Sequence, residues 1–341
     1  MKRLRWPLAA VFLLAAAAIA SLFLPAAPTP AGALLNISHG SSTRQIGAQL
    51  ARQGILRYSW QLPLARLLQP NRTLQAGEYE FNQPATPWQI FDRLARGDVH
   101  FYLLRIPEGY NIFDIAKAVA EPGLISETEF LAAARNPQLI QDLAPGAPTL
   151  EGFLFPSTYR LTRATTAQTL CAQMVAQFRR EWAALRPTQP VLPTVTLASL
   201  VEKETSVPAE RPLVAGVYAK RLALGMKLDA DPTTIYSALL LGNWRGAIYR
   251  SDLDRPHPYN TYKTIGLPPG PIANPGAAAL AAALHPATTD NLFFVARADG
   301  SGAHRFSPNA AAHQRAVADY RRGQQKTATP TTPHAAPQRA N

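Results

Sequence analysis

The sequence is poor in cysteine, in charge and above all in acidic residues. Cys171 is the single cysteine among 341 residues, which excludes an intramolecular disulfide and leaves no thiol near the N-terminus to carry a lipid. Only 16% of residues are charged while 47% are hydrophobic, a balance that excludes wholesale disorder. Asp and Glu number 22 against 34 Lys and Arg, a formal charge of +12. That surplus favours an anionic partner, whether nucleic acid, an anionic lipid surface or an acidic polymer. The pair Asp229 and Asp231 has metal-like spacing, but no His or Cys cluster accompanies it. No metal and no cofactor is expected.

What is present begins with Lys2, Arg3 and Arg5, followed by an apolar run of 19 residues from Trp6 to Leu24. A run of about 20 apolar residues spans a bilayer, and the basic flank stays on the cytoplasmic side. The expectation is a single-pass, membrane-anchored chain whose bulk is exported, which makes nucleic acid an unsuitable partner. A cleaved signal peptide is the competing reading, because Ala31-Gly32-Ala33 resembles a small-residue cleavage site. Pro25 to Gly32 reads as a linker.

An internal similarity follows. Ile37-Ser38-His39-Gly40 with Ile46, Leu50, Gly54 and Ile55 recurs 69 positions on as Ile106-Pro107-Glu108-Gly109 with Ile115, Val119, Gly123 and Leu124. Each copy reads as a strand, a Gly turn and an amphipathic helix ended by a second Gly. Between them, Leu74 to Phe81 alternates as a strand and Trp88 to Ala95 has helical spacing. The chain is therefore expected to be α+β, with residues 1–33 as basic flank, transmembrane helix and linker. A small α+β subdomain over 34–125 precedes a helix-rich α+β domain over 126–322, and 323–341 form a disordered tail. The subdomain could contact glycans or serve as a spacer.

For chemistry, the helix over Val195–Thr205 is the most informative segment. Leu197, Leu200, Val201 and Glu204 fall at i, i+3, i+4 and i+7, one stripe of a helix, whereas Glu202 and Lys203 point to the other side. A carboxyl at the end of an apolar stripe is desolvated, and its pKa rises above the roughly 4.3 of a free Glu. An acid still protonated near neutral pH suits cleavage of a glycosidic bond. Pairing with an Arg, or capping the next helix, is the structural alternative for Glu204. Tyr259-Asn260-Thr261-Tyr262 and the rigid loop Gly266 to Gly276 supply rings and amides suited to sugar recognition, or simply form an ordinary loop.

Several segments in order complete the pattern: EGFLFP from Glu151, VEKET, GMKLDADPTTIY, YNTY, GLPPGPIANPG, His285-Pro286 and FFVARADGSGAHRFS. Together they closely resemble the endolytic murein transglycosylase family, MltG or YceG-like, from the N-terminal anchor to about Tyr320. The resemblance implies an inner-membrane protein with a periplasmic LysM-like subdomain and a catalytic domain acting on peptidoglycan glycan strands, near the synthases that polymerise them. It implies that the essential glutamate is the second of E-K-E-T, Glu204, with Glu202 as the fallback. It further implies a lytic reaction in which one carboxyl protonates the leaving oxygen. The same group then deprotonates the muramoyl 6-hydroxyl, giving a 1,6-anhydro end without water. Glu151, Asp231, Thr233, Asn260 and Tyr262 are the expected substrate-orienting positions, and His304 and His313 are left without a role. The alternatives are a non-catalytic peptidoglycan-binding scaffold and a water-using hydrolase with a second carboxylate, although no second carboxylate stands out in the sequence.

Overall fold

The computed structural model describes residues 5–25 and 32–327, so the expected basic flank at Lys2 and Arg3 and most of the expected linker lie outside the described residues. The chain forms two compact units, one of residues up to Leu104 with Arg160–Thr165, the other of Arg105–Tyr159 with the residues from Thr166 onward. Both mix helices with small sheets, three in all of two strands each among the described residues.

The first unit opens with α1 (Arg5–Ala20) and a 3-10 turn over Ser21–Phe23. Among the described residues no helix is long and apolar enough to cross a membrane. The expected span over Trp6–Leu24 is a sixteen-residue helix whose apolar run finishes in the tighter turn. Then come β1 (Ala33–Ile37), α2 (Thr43–Arg52), α3 (Gln61–Leu68), β2 (Gly77–Phe81) and α4 (Pro87–Arg96). β1 and β2 are antiparallel, with Leu35 opposite Tyr79 and Ala33 opposite Phe81. Because strand side chains alternate, Leu35, Ile37, Tyr79 and Phe81 all enter one core while Leu34 stays exposed. Enclosing a large apolar side chain in this way is worth about 1.5–3 kcal/mol. Ser42 and Thr86 start α2 and α4 through reciprocal caps with Gln45 and Gln89. α3, which the sequence pattern did not suggest, fills the space between them.

β3 (Tyr102–Arg105) leads to α5 (Ile112–Ala120), α6 (Glu127–Ala134), β4 (Thr158–Leu161) and α7 (Ala167–Ala184). The glycines of the repeat correspond in backbone conformation: Gly40 and Gly109 have φ of 80° and 78°, and Gly54 and Gly123 have φ of 71° and 68°. That left-handed conformation suits glycine. The division between units nevertheless falls at residue 104 rather than 125. Its cause is visible in the hydrogen bonds that tie the start of α5 into the second unit. Asn274 donates to Tyr110 O and accepts from Gly109 N, and Glu151 accepts from Ile112 N.

The second unit continues with α8 (Val191–Glu204), α9 (Arg211–Ala223), α10 (Asp231–Leu240), α11 (Arg250–Asp254) and α12 (Ala277–Leu284). The hairpin β5 (Phe293–Ala296) and β6 (His304–Ser307) then packs on α13 (Ala310–Thr327). α8 is its centre, with every residue from Thr194 to Val201 buried. The expected amphipathic stripe is thus only part of the picture, because neighbours, α12 foremost, enclose the helix all round. Ser199, inside this helix, accepts Ile272 N at 3.1 Å and so ties down the Pro-rich loop. α13 carries the chain four residues past the expected start of a disordered tail at 323, and the remainder lies outside the described residues.

Candidate active site

Thr205 ends α8 in an extended conformation (φ −136°, ψ 131°), leaving Glu204 on the last helical residue at the margin of the core. Its carboxyl borders a cavity of about 370 Å³ whose other walls come from α9 (Tyr218, Arg221), the Leu228–Asp231 turn, Tyr262, β5 (Phe293, Phe294) and α13 (His313, Val317). Tyr218 donates from Oη to Glu204 Oε1 at 2.8 Å. No hydrogen bond reaches Oε2 among the described residues. Burial pushes the Glu204 carboxyl up to about 7, opposed by the Tyr218 hydrogen bond, reinforced by the negative charge of Asp231 and again opposed by Arg221. Such a group holds its proton near neutrality and can both give and take one.

Glu204 also borders a second cavity of about 450 Å³, with Glu108, Glu202, Lys203, Ser206 and Arg211 around it. Glu204 thus lines two cavities. Glu202 lines this second cavity with Glu204, yet its carboxylate is not free. It accepts from Arg211 at 3.1 Å and from the Gly276 amide at 3.0 Å, with its side chain 6% exposed. Burial raises its pKa, and the Gly276 amide and Arg211 oppose that rise. Both oxygens are already engaged, so Glu202 serves as a fixed end of an ion pair. A side chain at position 276 would meet the Glu108 carboxylate, the end of a half-exposed side chain with room to swing aside.

The expected site residues separate into two groups. Asp231 and Tyr262 stand in the cavity with Glu204, joined by a 2.6 Å hydrogen bond from the Tyr262 hydroxyl to Asp231 Oδ1. Thr233, Asn260 and Glu151 are 0%, 0% and 1% exposed and face the interior instead. Asn260 spends its amide on Asp252, Leu253 and Arg255 carbonyls and accepts from Tyr262 N, thereby aiming Tyr262. Thr233 bonds Ala230 O and the Thr261 hydroxyl. Glu151 accepts from Ile112 N at 2.9 Å and Asn274 Nδ2 at 2.7 Å, and burial pushes its carboxyl up to about 8. These three are buried and hydrogen-bonded into the frame around the cavity rather than lining it.

Other residues of the site were not singled out by the sequence pattern. Tyr218 and Arg221 lie on the buried face of α9, i and i+3, where Arg221 donates to Leu292 O at 2.7 Å and Leu228 O at 2.8 Å. It thereby fixes β5 and the Asp229 turn, and Asp229 itself adopts φ 50°, uncommon for a residue with a side chain. His304 receives a role in support, its ring 2.8 Å from Glu210, which also accepts from the Thr205 hydroxyl beside Glu204. His313 stacks on Phe293 at 5.1 Å in the cavity wall. The contrary finding is that Asp229 and Asp231 both line the cavity of Glu204, whereas no second carboxylate for the chemistry stood out in the sequence. Among the described residues no three His, Cys, Asp or Glu are grouped to hold a metal ion.

Comparison with known proteins places this arrangement among relatives. The chain is 30% identical over 289 residues to the endolytic murein transglycosylase of Bacillus subtilis, covering 78% of this chain and 79% of that protein. It is 28% identical over 320 residues to the endolytic murein transglycosylase of Streptococcus pneumoniae, covering 84% of this chain but only 58% of that longer protein. The crystal structure of a yceG-like protein from Listeria monocytogenes is similar at a TM-score of 0.53 and 30% identity, over 83% of this chain and 98% of that one. Residues 35–319 match the family described as YceG-like, and with a match of that extent the chain belongs to the YceG-like family.

Proposed function

We propose that the protein is an endolytic lytic transglycosylase that cleaves the β-1,4 bond between N-acetylmuramic acid and N-acetylglucosamine in peptidoglycan. The observation that carries this reading is the Glu204 carboxyl, held by one hydroxyl, desolvated to a pKa of about 7 and bordered by two cavities. The names of the bacterial relatives support it. Glu204 protonates the leaving glycosidic oxygen, and Tyr218 keeps that carboxyl aimed while it is charged. As a carboxylate Glu204 then takes the proton of the muramoyl 6-hydroxyl, whose oxygen closes the 1,6-anhydro ring. Two cavities meeting at Glu204 suit a cut within a strand rather than at its end.

A second reading has one specific observation in its favour. Asp231 shares the cavity, and a hydrolase needs a second carboxylate to activate water or form an intermediate. Against it, Asp231 already accepts a 2.6 Å hydrogen bond from Tyr262. The anchoring part of the reading rests on α1, where Leu8, Phe12 and Leu14 are 63%, 73% and 71% exposed and would be solvated in water. In this reading α1 holds the chain in the inner membrane with both units in the periplasm, beside the synthases that extend glycan strands. The first unit, with its order strand, helix, helix, strand and its antiparallel pairing, serves as a LysM-like glycan contact.

Glu204→Gln is the test, with purified peptidoglycan as substrate. It is expected to abolish release of new strand ends while the circular dichroism spectrum stays that of the wild type. Near wild-type turnover would remove Glu204 from the mechanism and hand the role to Glu202.

A further inference from the structure

α1 meets the first unit with no slack between them. The helix runs directly into the turn Ser21–Phe23, and Leu22 of that turn is fully buried in the same core as Leu35, Leu62 and Phe91. Gln61, itself buried, bridges the junction: Nε2 donates to Ser21 O at 3.3 Å, while Oε1 accepts from Tyr58 N at 3.1 Å. Phe23 packs on Trp88 with ring centroids 5.5 Å apart. The linker expected from the sequence begins only after this junction.

Length then sets a constraint. Sixteen α-helical residues rise about 24 Å and three residues of 3-10 helix about 6 Å. The two together reach about 30 Å, the thickness of a bilayer's hydrocarbon core. α1 alone falls short of that thickness among the described residues, so an anchor built on it needs the Ser21–Phe23 turn to complete the span, which sets that turn and whatever flanks it at the interface. What flanks them is an aromatic pair. Tyr58 and Trp60 stack at 5.8 Å and 13° yet remain 49% and 43% exposed. Leu67, on the same stripe of α3 as Trp60 at i+7, is 74% exposed. The Arg57 guanidinium lies 5.9 Å from the Tyr58 ring centroid. Exposed rings and aliphatic side chains are disfavoured in water. At a membrane interface the amphipathic rings of Trp and Tyr settle at headgroup level, and a cation beside them meets lipid phosphate.

We propose that Phe23, Tyr58, Trp60 and Leu67 form a lipid-docking face, seated in the interface of the bilayer that α1 enters. The first unit is then held flat on the lipid surface by its own core residue Leu22 rather than suspended on a flexible tether. The proposal rests on α1 being the anchor, and the experiment separates the two. The full chain is reconstituted in vesicles of phosphatidylethanolamine and phosphatidylglycerol, with an environment-sensitive dye on Trp60→Cys, on Leu67→Cys or on Gln83→Cys, an exposed position of the same unit. Flotation with the vesicles through alkaline carbonate reports anchoring. Near-ultraviolet circular dichroism reports folding of each variant. The expected result is flotation of all three, with dye at 60 and 67 blue-shifted and quenched several-fold more by spin-labelled lipid than dye at 83. Flotation with equal quenching at all three positions would overturn the docking face alone. Failure to float would overturn the anchor and the docking face with it.

Discussion

Replacing Tyr218 by Phe removes one hydroxyl and leaves the ring in its T-shaped packing against Phe294, 5.8 Å away. The lost bond is the 2.8 Å donation to Glu204 Oε1. A hydrogen bond to a charged group contributes about 1.5–3 kcal/mol, against about 0.5–1.5 kcal/mol for a neutral one. The ionised carboxylate thus loses about 1–1.5 kcal/mol more than the protonated acid, which corresponds to about one pKa unit. Glu204, pushed up to about 7 in the intact site, moves to about 8. Because cleavage starts from the protonated acid, kcat/KM is flat at low pH and falls as Glu204 ionises, and that profile reports the free enzyme. Tyr218→Phe should shift the falling limb upward by about one pH unit. Asp231→Asn should shift it downward, because the Asp231 charge raises the Glu204 pKa. A pH series of initial rates on solubilised glycan strands measures both. Limbs that stay at the wild-type position in both variants would refute the electrostatic account of the site.

Three further outcomes follow from the frame. Arg211→Met strips the partner from Glu202, whose side chain is 6% exposed, and should destabilise the fold by about 3–5 kcal/mol in urea unfolding. Adding Glu202→Gln should recover part of that loss. Asn274→Ala leaves Leu154 N and Glu151 Oε1 without their 2.9 Å and 2.7 Å partners, at a cost of roughly 1–3 kcal/mol for each buried group. Glu151 binds its proton more tightly folded, with a pKa of about 8, than unfolded near 4.5. The native state therefore holds more protons between those values, and stability contributed by this group is full below pH 4.5 and lost as pH rises through 8, by roughly 5 kcal/mol at most. Glu151→Gln should flatten the dependence of Tm on pH over that window, and an unchanged slope would place the titration elsewhere.

Much of this was legible in the residues because local patterns were decisive. The alternation around Tyr79 and Phe81 marked a strand with one buried face, and the paired glycines at 40 and 109 marked two equivalent turns. The partial burial of Glu204 was legible from its helical phase, though α8 proved buried all round. Polar residues were harder, because a sequence does not say where a hydrogen bond ends. Asn260 and Thr233 look like sugar ligands by type, yet their bonding capacity is used on backbone carbonyls and on Thr261. Tyr218 and Arg221 were hidden for the opposite reason, as polar side chains on the buried face of α9, where periodicity alone points to aliphatic residues. Leu22 could not be separated from the apolar run around it, and only tertiary packing gives it to the core of the first unit.

The central claim is that a single carboxyl serves as both acid and base, and Asp231 in the same cavity is the feature that challenges it. Digestion of peptidoglycan in heavy-oxygen water, followed by mass spectrometry of the new muramoyl ends, tests the claim most directly. One carboxyl and an internal hydroxyl nucleophile predict 1,6-anhydro ends free of the isotope. Reducing ends that carry the heavy oxygen would contradict the account and make Asp231 the residue that activates water.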